Sequence, residues 1–290
     1  MTLDKRPAHP TQPGSPGSSY DFSDPGAKIS VGEAISSIFS TYFSRFWQLY
    51  GFAVLGSLPM LLFMIFGEFG IENVDSVTVS RLAPMFVVIV ILSGLLNLCL
   101  QGAVAVCVYR VLRDEESYFF ECIKTGLARI VTLILISFLF LVISMGFCVG
   151  AGFITITVIH TRVAWLMLIA AGLLIIVGIR LFLSIMFSIP VCMVERLGAL
   201  ESIRRSVNLI KSNYFACFVV ILVIAILNIV VILISSVVSN FTDSIVFVII
   251  SSLLVTIPSG LATVAIPVLY YQLRAAKENF LVEDEADIFD

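Results

Sequence analysis

Six long apolar runs, separated by short polar stretches, dominate the chain between residues 47 and 273. Each run has about 20 residues or more, which at about 1.5 Å per helical residue crosses the roughly 30 Å hydrocarbon core of a bilayer. Several runs are longer than that, which predicts helices that tilt or extend beyond the lipid. The predicted spans are 47–67, 82–109, 131–159, 163–194, 214–238 and 244–273.

Three shorter segments have the periodicity of amphipathic helices that lie on a membrane surface. They cover residues 33–46, 117–130 and 199–211, and each begins near a glutamate: Glu33, Glu121 or Glu201. Apolar residues recur two, six and nine positions after each glutamate. This similarity suggests a threefold internal repeat with units 32–113, 117–196 and 199–278. Any surface helix has a similar periodicity, so coincidence remains the alternative.

The distribution of Lys and Arg predicts the orientation of the spans. Four of these residues precede the first span, four lie between spans two and three, four lie between spans four and five, and two follow the last span. The opposite side has only Arg81 and Arg162. We therefore predict that both termini are cytoplasmic, in the inner membrane of a bacterium. The residues on the basic side are Lys5, Arg6, Lys28, Arg45, Arg110, Arg113, Lys124, Arg129, Arg196, Arg204, Arg205, Lys211, Arg274 and Lys277.

The composition supports an all-α, polytopic membrane protein. Of the 290 residues, 59% are apolar and 13% are charged, whereas soluble domains have about 25% charged residues. The net charge of −3 gives no reason to expect a nucleic-acid partner. Residues 1–30, rich in Pro, Gly and Ser, and the acidic residues 279–290 are predicted to be disordered tails around a membrane domain at 31–278. The first apolar run begins only near Phe46, which argues against a cleavable signal peptide.

The sequence has little that could support catalysis or cofactor binding. It has only two histidines, His9 and His160, and its six cysteines are scattered without a CxxC pair. Common hydrolase, metalloprotease and nucleotide-binding motifs are missing, as are paired carboxylates within the apolar runs. We therefore predict a protein that is not an enzyme and has neither a cofactor nor a metal.

One arginine interrupts the fourth apolar run. Arg180 lies 15 residues from Glu195, or about 22 Å along a helix, which predicts a position near the middle of the membrane. A lipid-facing arginine there would cost several kcal/mol. We therefore predict a polar pocket in which Arg180 donates to Asn97, Gln101, Asn228 or the Leu254 carbonyl that Pro258 leaves unpaired. Alternatively, Asn97, Gln101 and Asn228 are ordinary interhelical hydrogen-bond formers.

Two further patterns suggest contacts. Arg204, Arg205 and Lys211 are well placed on a surface helix to bind anionic lipid headgroups, although they could simply set the topology. Gly146 and Gly150, four residues apart, predict close packing between helices.

A set of residues at three places in the chain resembles a known family. The sets are Pro190, Glu195, Ala199, Leu200, Arg205, Ser206, Leu209 and Lys211; Phe46, Trp47 and Pro59; and Tyr270, Tyr271, Leu273, Arg274, Lys277 and Glu278. Together they resemble the membrane domain of the glycerophosphoryl diester phosphodiesterase family and its stand-alone relatives, the YciC-like membrane proteins. Some relatives carry a soluble phosphodiesterase barrel, for which this chain has no room, so the resemblance implies no catalytic activity here.

These observations predict a non-enzymatic inner-membrane protein that supports envelope homeostasis. Its expected partners are membrane lipids and another membrane protein, while the oligomeric state stays open. The alternative is a small transporter or channel for an anionic solute or lipid, with Arg180 as the anion site.

Overall fold

A computed structural model of the protein describes residues 29–70, 76–161, 164–239 and 245–278. All regular secondary structure in these ranges is α-helical, which confirms the predicted all-α class. Of the tail predicted at 1–30, residues 1–28 lie outside the described residues, as do the tail predicted at 279–290 and Arg162, whereas Ile29 is buried. The helices are α1 (Val31–Ser44), α2 (Phe46–Gly70), α3 (Ser76–Leu112), α4 (Phe119–Ala128), α5 (Ile130–Thr161), α6 (Ala164–Met186), α7 (Ser188–Val194), α8 (Ala199–Ile210), α9 (Tyr214–Ser239) and α10 (Ile245–Glu278).

Five apolar stretches within the described helices are long enough to cross a membrane. They indicate an integral membrane protein. The first predicted span falls on α2, whose side chains after Leu62 lie outside the described residues. The five stretches are Val87–Leu112, Ile130–Phe153, Ile169–Val194, Tyr214–Val238 and Ile249–Glu278.

Buried residues concentrate at one end of the bundle. We call this the basic end; it comprises α1, α4, α8 and the C-terminal parts of α3, α7 and α10. Its main core includes Tyr42, Cys107, Val191 and Leu209, together with aliphatic residues of α10. By contrast, the far parts of α5, α6 and α9 expose large apolar side chains to their surroundings. The bundle is therefore tightly packed at the basic end and has an apolar outer surface elsewhere, as a lipid-embedded surface requires.

The contribution of α10 to this core consists of Val264, Val268, Leu269 and Leu273, which are all nearly fully buried. Val264 and Val268, and likewise Leu269 and Leu273, are four residues apart, as expected for a helix that buries one stripe. The C-terminal part of α10 is thus the central element of the basic end, with α1, α2, α3 and α9 packed around it.

The three predicted surface helices are present as α1, α4 and α8, which we call the surface helices. Helix α4 packs on α3 and α8 packs on α7, in each case the helix directly before it in the chain. Helix α1 packs on the last helix, α10. All three helices bury the positions one and five residues after the glutamate, whereas Leu127 and Val207, six residues after it, are exposed. The residues at these two positions are Ala34 and Ile38 in α1, Cys122 and Gly126 in α4, and Ser202 and Ser206 in α8.

The predicted fourth span is two helices rather than one. A break at Phe187 separates α6 from α7, three residues before Pro190, whose missing amide leaves the Met186 carbonyl without its helical partner. Helix α7 is buried against α3 and α8. The last part of the predicted span therefore belongs to the packed basic end.

The surface helices α4 and α8 pack along the spans from their charged ends inward, since Glu121 of α4 pairs with Arg110 and Arg205 of α8 pairs with Glu195. Gly126 of α4 faces the Cys99 carbonyl of α3, and the Ser206 hydroxyl of α8 donates to the Ser184 carbonyl of α6. Cys99 and Ser184 each lie eleven residues before the charged residue that ends the span, Arg110 or Glu195, which is about 16 Å along a helix. The packed basic end therefore extends from Arg110 and Glu195 inward to these two contacts.

The predicted packing at Gly146 and Gly150 is wrong within this chain. Both glycines are exposed, and a Cβ atom built on either would meet nothing within 4 Å. They lie on the outer surface of α5, where no neighbouring helix of the described bundle approaches.

Candidate functional site

Arg180 lies on the outer surface of α6, one helical turn before Ser184. Its side chain is exposed, and its guanidinium carbon lies 5.5 Å from the centre of the Tyr214 ring at the start of α9. One helical turn away, the Ser184 hydroxyl donates to the Arg180 carbonyl at 2.7 Å and lies 3.3 Å from the Tyr214 hydroxyl. Because the Ser184 carbonyl also accepts a hydrogen bond from Ser206 of α8, Arg180 lies about 6 Å along α6 from that contact.

Arg180 does not form the predicted pocket with Asn97, Gln101, Asn228 or the Leu254 carbonyl among the described residues. It lies near the middle of the apolar stretch Ile169–Val194, whose last part, α7, packs against α3 and α8. Asn97 and Gln101 lie instead at a cavity between α2, α3 and α10, and Asn228 bonds to α10. Arg180 shares no contact with any of these three side chains among the described residues.

The guanidinium of Arg180 has an aromatic neighbour but no counter-ion in the described ranges. It forms no ion pair and no hydrogen bond there, and its cation–π contact with Tyr214 is worth about 0.5–2 kcal/mol. Such a cation, on the apolar outer surface and near its edge, can reach a phosphate layer by extending its side chain. This arrangement favours an anion supplied from the membrane.

The three residues predicted to bind headgroups differ in their surroundings. Arg204 and Lys211 are exposed, and neither forms an ion pair in the described part of the chain. Arg205 instead pairs with Glu195 at 3.1 Å and with Glu278. Its charge is neutralised inside the protein, so the prediction that Arg205 binds a headgroup is not supported by its contacts.

Arg205 is the centre of a network that joins α7, α8 and α10 at the basic end. Glu278 also accepts from Arg274 at 2.9 Å, and Glu195 accepts a hydrogen bond from the Tyr270 hydroxyl at 2.9 Å. The side chains of Glu195 and Glu278 are only 14% and 24% exposed. The contacts of Glu278 with Arg205 and Arg274 show that it completes this network.

A cavity of about 270 Å³ lies between α2, α3 and α10. Its polar lining comes from pairs four residues apart, Asn97 with Gln101 on α3 and Ser259 with Thr263 on α10, together with Ser57 on α2. Residues at this spacing share one helix face. The sequence analysis predicted a binding role for Asn97 and Gln101 but did not single out the hydroxyls of Ser259 and Thr263. Their four-residue spacing on α10 could have indicated a shared polar face.

The cavity residues differ in how fully they use their hydrogen-bonding groups. Asn97 donates to the Gly56 carbonyl at 3.2 Å and to the Ser93 carbonyl at 3.1 Å. Ser259 and Thr263 donate to carbonyls of their own helix, each at 3.0 Å. The Gln101 amide is exposed and makes no hydrogen bond within the described ranges. It is therefore free to bind a ligand or water.

Asn228 stabilises the kinked part of α10 around Pro258. It donates to the Pro258 carbonyl at 2.9 Å, while the hydroxyls of Tyr50 and Tyr42 donate to the carbonyls of Leu253 and Ile257 at 3.0 and 3.1 Å. Burial raises the pKa of Tyr42 to about 12, which keeps its hydroxyl protonated as a donor at neutral pH. Asn228 thus acts as an interhelical hydrogen-bond former, the alternative that the sequence left open.

No group of three or more His, Cys, Asp or Glu residues that could hold a metal ion occurs among the described residues. Comparison of the chain with family models, curated proteins and solved structures gave no match. The resemblance to the phosphodiesterase membrane domain therefore stays a prediction from the residues that carry it.

Proposed function

We propose that this protein is a non-enzymatic integral membrane protein that binds anionic phospholipid at its basic end. The observation that carries the proposal is the exposed guanidinium of Arg180 on the apolar outer surface, with Tyr214 beside it and no acid among its described neighbours. An unpaired cation at such a place is costly unless it reaches water or a phosphate. A phospholipid phosphate supplies the missing charge and accepts charge-assisted hydrogen bonds.

Neighbouring groups support the same choice of ligand. Lys211 lies three residues before Tyr214, in the turn that joins α8 to α9, and is exposed. Arg204 is an exposed cation on α8 itself. Basic residues close to an anionic membrane surface contribute about 1 kcal/mol each to its attraction. The exposed aromatic side chain of Phe215, next to Tyr214, suits the boundary between lipid and water.

The alternative of an anion transporter has less support. That alternative required Arg180 to line a passage through the bundle, whereas its side chain lies on the outer surface of α6. The cavity between α2, α3 and α10 is lined by other residues. We therefore favour a lipid-binding membrane protein over a transporter, with a role in envelope homeostasis and another membrane protein as a further expected partner.

The orientation and the repeat form part of the same proposal. The excess of Lys and Arg supports a basic end that faces the cytoplasm, with both termini on that side and six spans in a bacterial inner membrane. The equivalent packing of α4 on α3, α8 on α7 and α1 on α10 supports three related units. Quenching lipids placed in the cytoplasmic leaflet alone should then reach residue 180.

The lipid-binding proposal can be tested by native mass spectrometry of the purified full chain with added phosphatidylglycerol. We expect Arg180→Ala to weaken phosphatidylglycerol binding about tenfold, because one charge-assisted interaction of about 1.5 kcal/mol is lost. Arg110→Ala is the matched control, since Arg110 is already paired with Glu121 at 3.1 Å. Equal lipid binding by the wild type and Arg180→Ala would refute the proposal.

A further inference from the structure

The cavity between α2, α3 and α10 has a polar but uncharged lining. Its polar side chains are the hydroxyls of Ser57, Ser259 and Thr263 and the amides of Asn97 and Gln101, and no charged residue of the described chain lines it. A phosphate that entered would lose its hydration without gaining an opposite charge. Hydroxyl groups and ester carbonyls, which need only hydrogen bonds, match this lining.

Two amides provide the hydrogen bonds that such a ligand needs. The Gln101 amide has two donors and a carbonyl acceptor, and none of these is used within the described residues. Asn97 uses its amino group to hold α2 through the Gly56 carbonyl, so its own carbonyl oxygen can accept from a ligand hydroxyl. The two side chains lie one turn apart on α3, so a ligand can contact both.

The size and surroundings of the cavity favour the head of a lipid. A volume of about 270 Å³ can hold a glycerol-sized group but not two acyl chains. Beyond the cavity, away from the basic end, α2 exposes Leu58 and Leu62, and α3 exposes Val88 and Leu92. These apolar side chains continue along the same two helices and provide a surface for acyl chains.

We propose that this cavity binds a neutral two-chain lipid of the diacylglycerol class, whose hydroxyl and ester groups bond to Gln101 and Asn97. This site is separate from the phospholipid site proposed at Arg180, because the two share no residue. It therefore gives the protein two lipid ligands of different charge.

Native mass spectrometry with added dioleoylglycerol tests this assignment on the purified full chain. We expect Gln101→Leu, which keeps the side-chain size but removes the amide, to weaken dioleoylglycerol binding about tenfold, the loss of one or two hydrogen bonds. Thr263→Val should also weaken binding, by about threefold. Ser93→Ala on the same helix is the control, because the Ser93 hydroxyl donates to the Ile89 carbonyl outside the cavity lining.

The outcomes separate this site from the one at Arg180. The assignment predicts that Arg180→Ala binds dioleoylglycerol as the wild type does, and that Gln101→Leu binds phosphatidylglycerol as the wild type does. Unchanged dioleoylglycerol binding in both cavity variants would overturn the assignment. Loss of phosphatidylglycerol binding in Gln101→Leu would overturn it as well, because the cavity would then accept a charged headgroup.

Discussion

Replacing Gly126 with alanine is expected to lower the thermal unfolding midpoint of the detergent-purified protein by about 6–12 °C. A Cβ atom at residue 126 would lie 2.5 Å from the Cys99 carbonyl oxygen and 3.1 Å from the Ala103 amide nitrogen. Both are backbone atoms of α3 that cannot move independently, so α4 must shift outward. Overpacking of this kind costs about 3 kcal/mol, and each kcal/mol lowers the midpoint by about 2–4 °C in a chain of this size.

Gly146→Ala provides the matched control for this substitution. Gly146 also lies within a helix, but a Cβ atom there meets nothing within 4 Å. Alanine stabilises an exposed helical site relative to glycine by up to about 1 kcal/mol, so the midpoint should stay the same or rise slightly. Equal midpoints for Gly126→Ala and Gly146→Ala would show that α4 does not lie against α3 as described.

Removing the charge of Arg205 is expected to have the second largest effect on stability. In Arg205→Ala, Glu195 and Glu278 both lose the cation that joins them, although both side chains are mostly buried. Breaking a fully buried ion pair costs about 3–5 kcal/mol, and because Arg205 is 35% exposed we expect about 2 kcal/mol. The thermal midpoint should therefore fall by about 4–8 °C.

The adjacent residue gives a direct comparison for Arg205. Arg204→Ala removes the same charge from the same helix, but Arg204 is exposed and forms no ion pair in the described ranges. Its midpoint should stay within about 1–2 °C of the wild type, because surface substitutions usually change stability by less than about 0.5 kcal/mol. If the two variants unfold at the same temperature, the network around Arg205 does not stabilise the basic end.

The sequence was sufficient to predict the helices because apolar periodicity reflects a local requirement. A backbone in lipid must satisfy its hydrogen bonds within each segment, so long apolar runs become helices whatever surrounds them. The amphipathic segments likewise became α1, α4 and α8. The break at Phe187 was harder to predict, since it depends on the packing of α7 as well as on Pro190.

The depth of Arg180 could not be predicted from the sequence alone. Counting residues from Glu195 gives a distance along a helix, but the position of the lipid depends on where the surface helices pack. Ser184 contacts Ser206 of α8 although it lies eleven residues before Glu195, so α8 packs alongside this part of the span. The partners of Gln101 depend in the same way on contacts between α2, α3 and α10, which are distant in sequence.

The central claim is that Arg180 lies at the cytoplasmic boundary of the membrane, and its depth can be measured directly. A fluorophore is attached to Arg180→Cys or to Leu173→Cys, each in a Cys148→Ser background, because the other five cysteines are buried. Lipids with a nitroxide on the headgroup are then added to the cytoplasmic leaflet of inside-out vesicles. Residue 173 lies seven residues farther along α6, which places it about 10 Å deeper. We predict strong quenching at residue 180 and weaker quenching at residue 173. Stronger quenching at residue 173, or none at either residue, would contradict the claim.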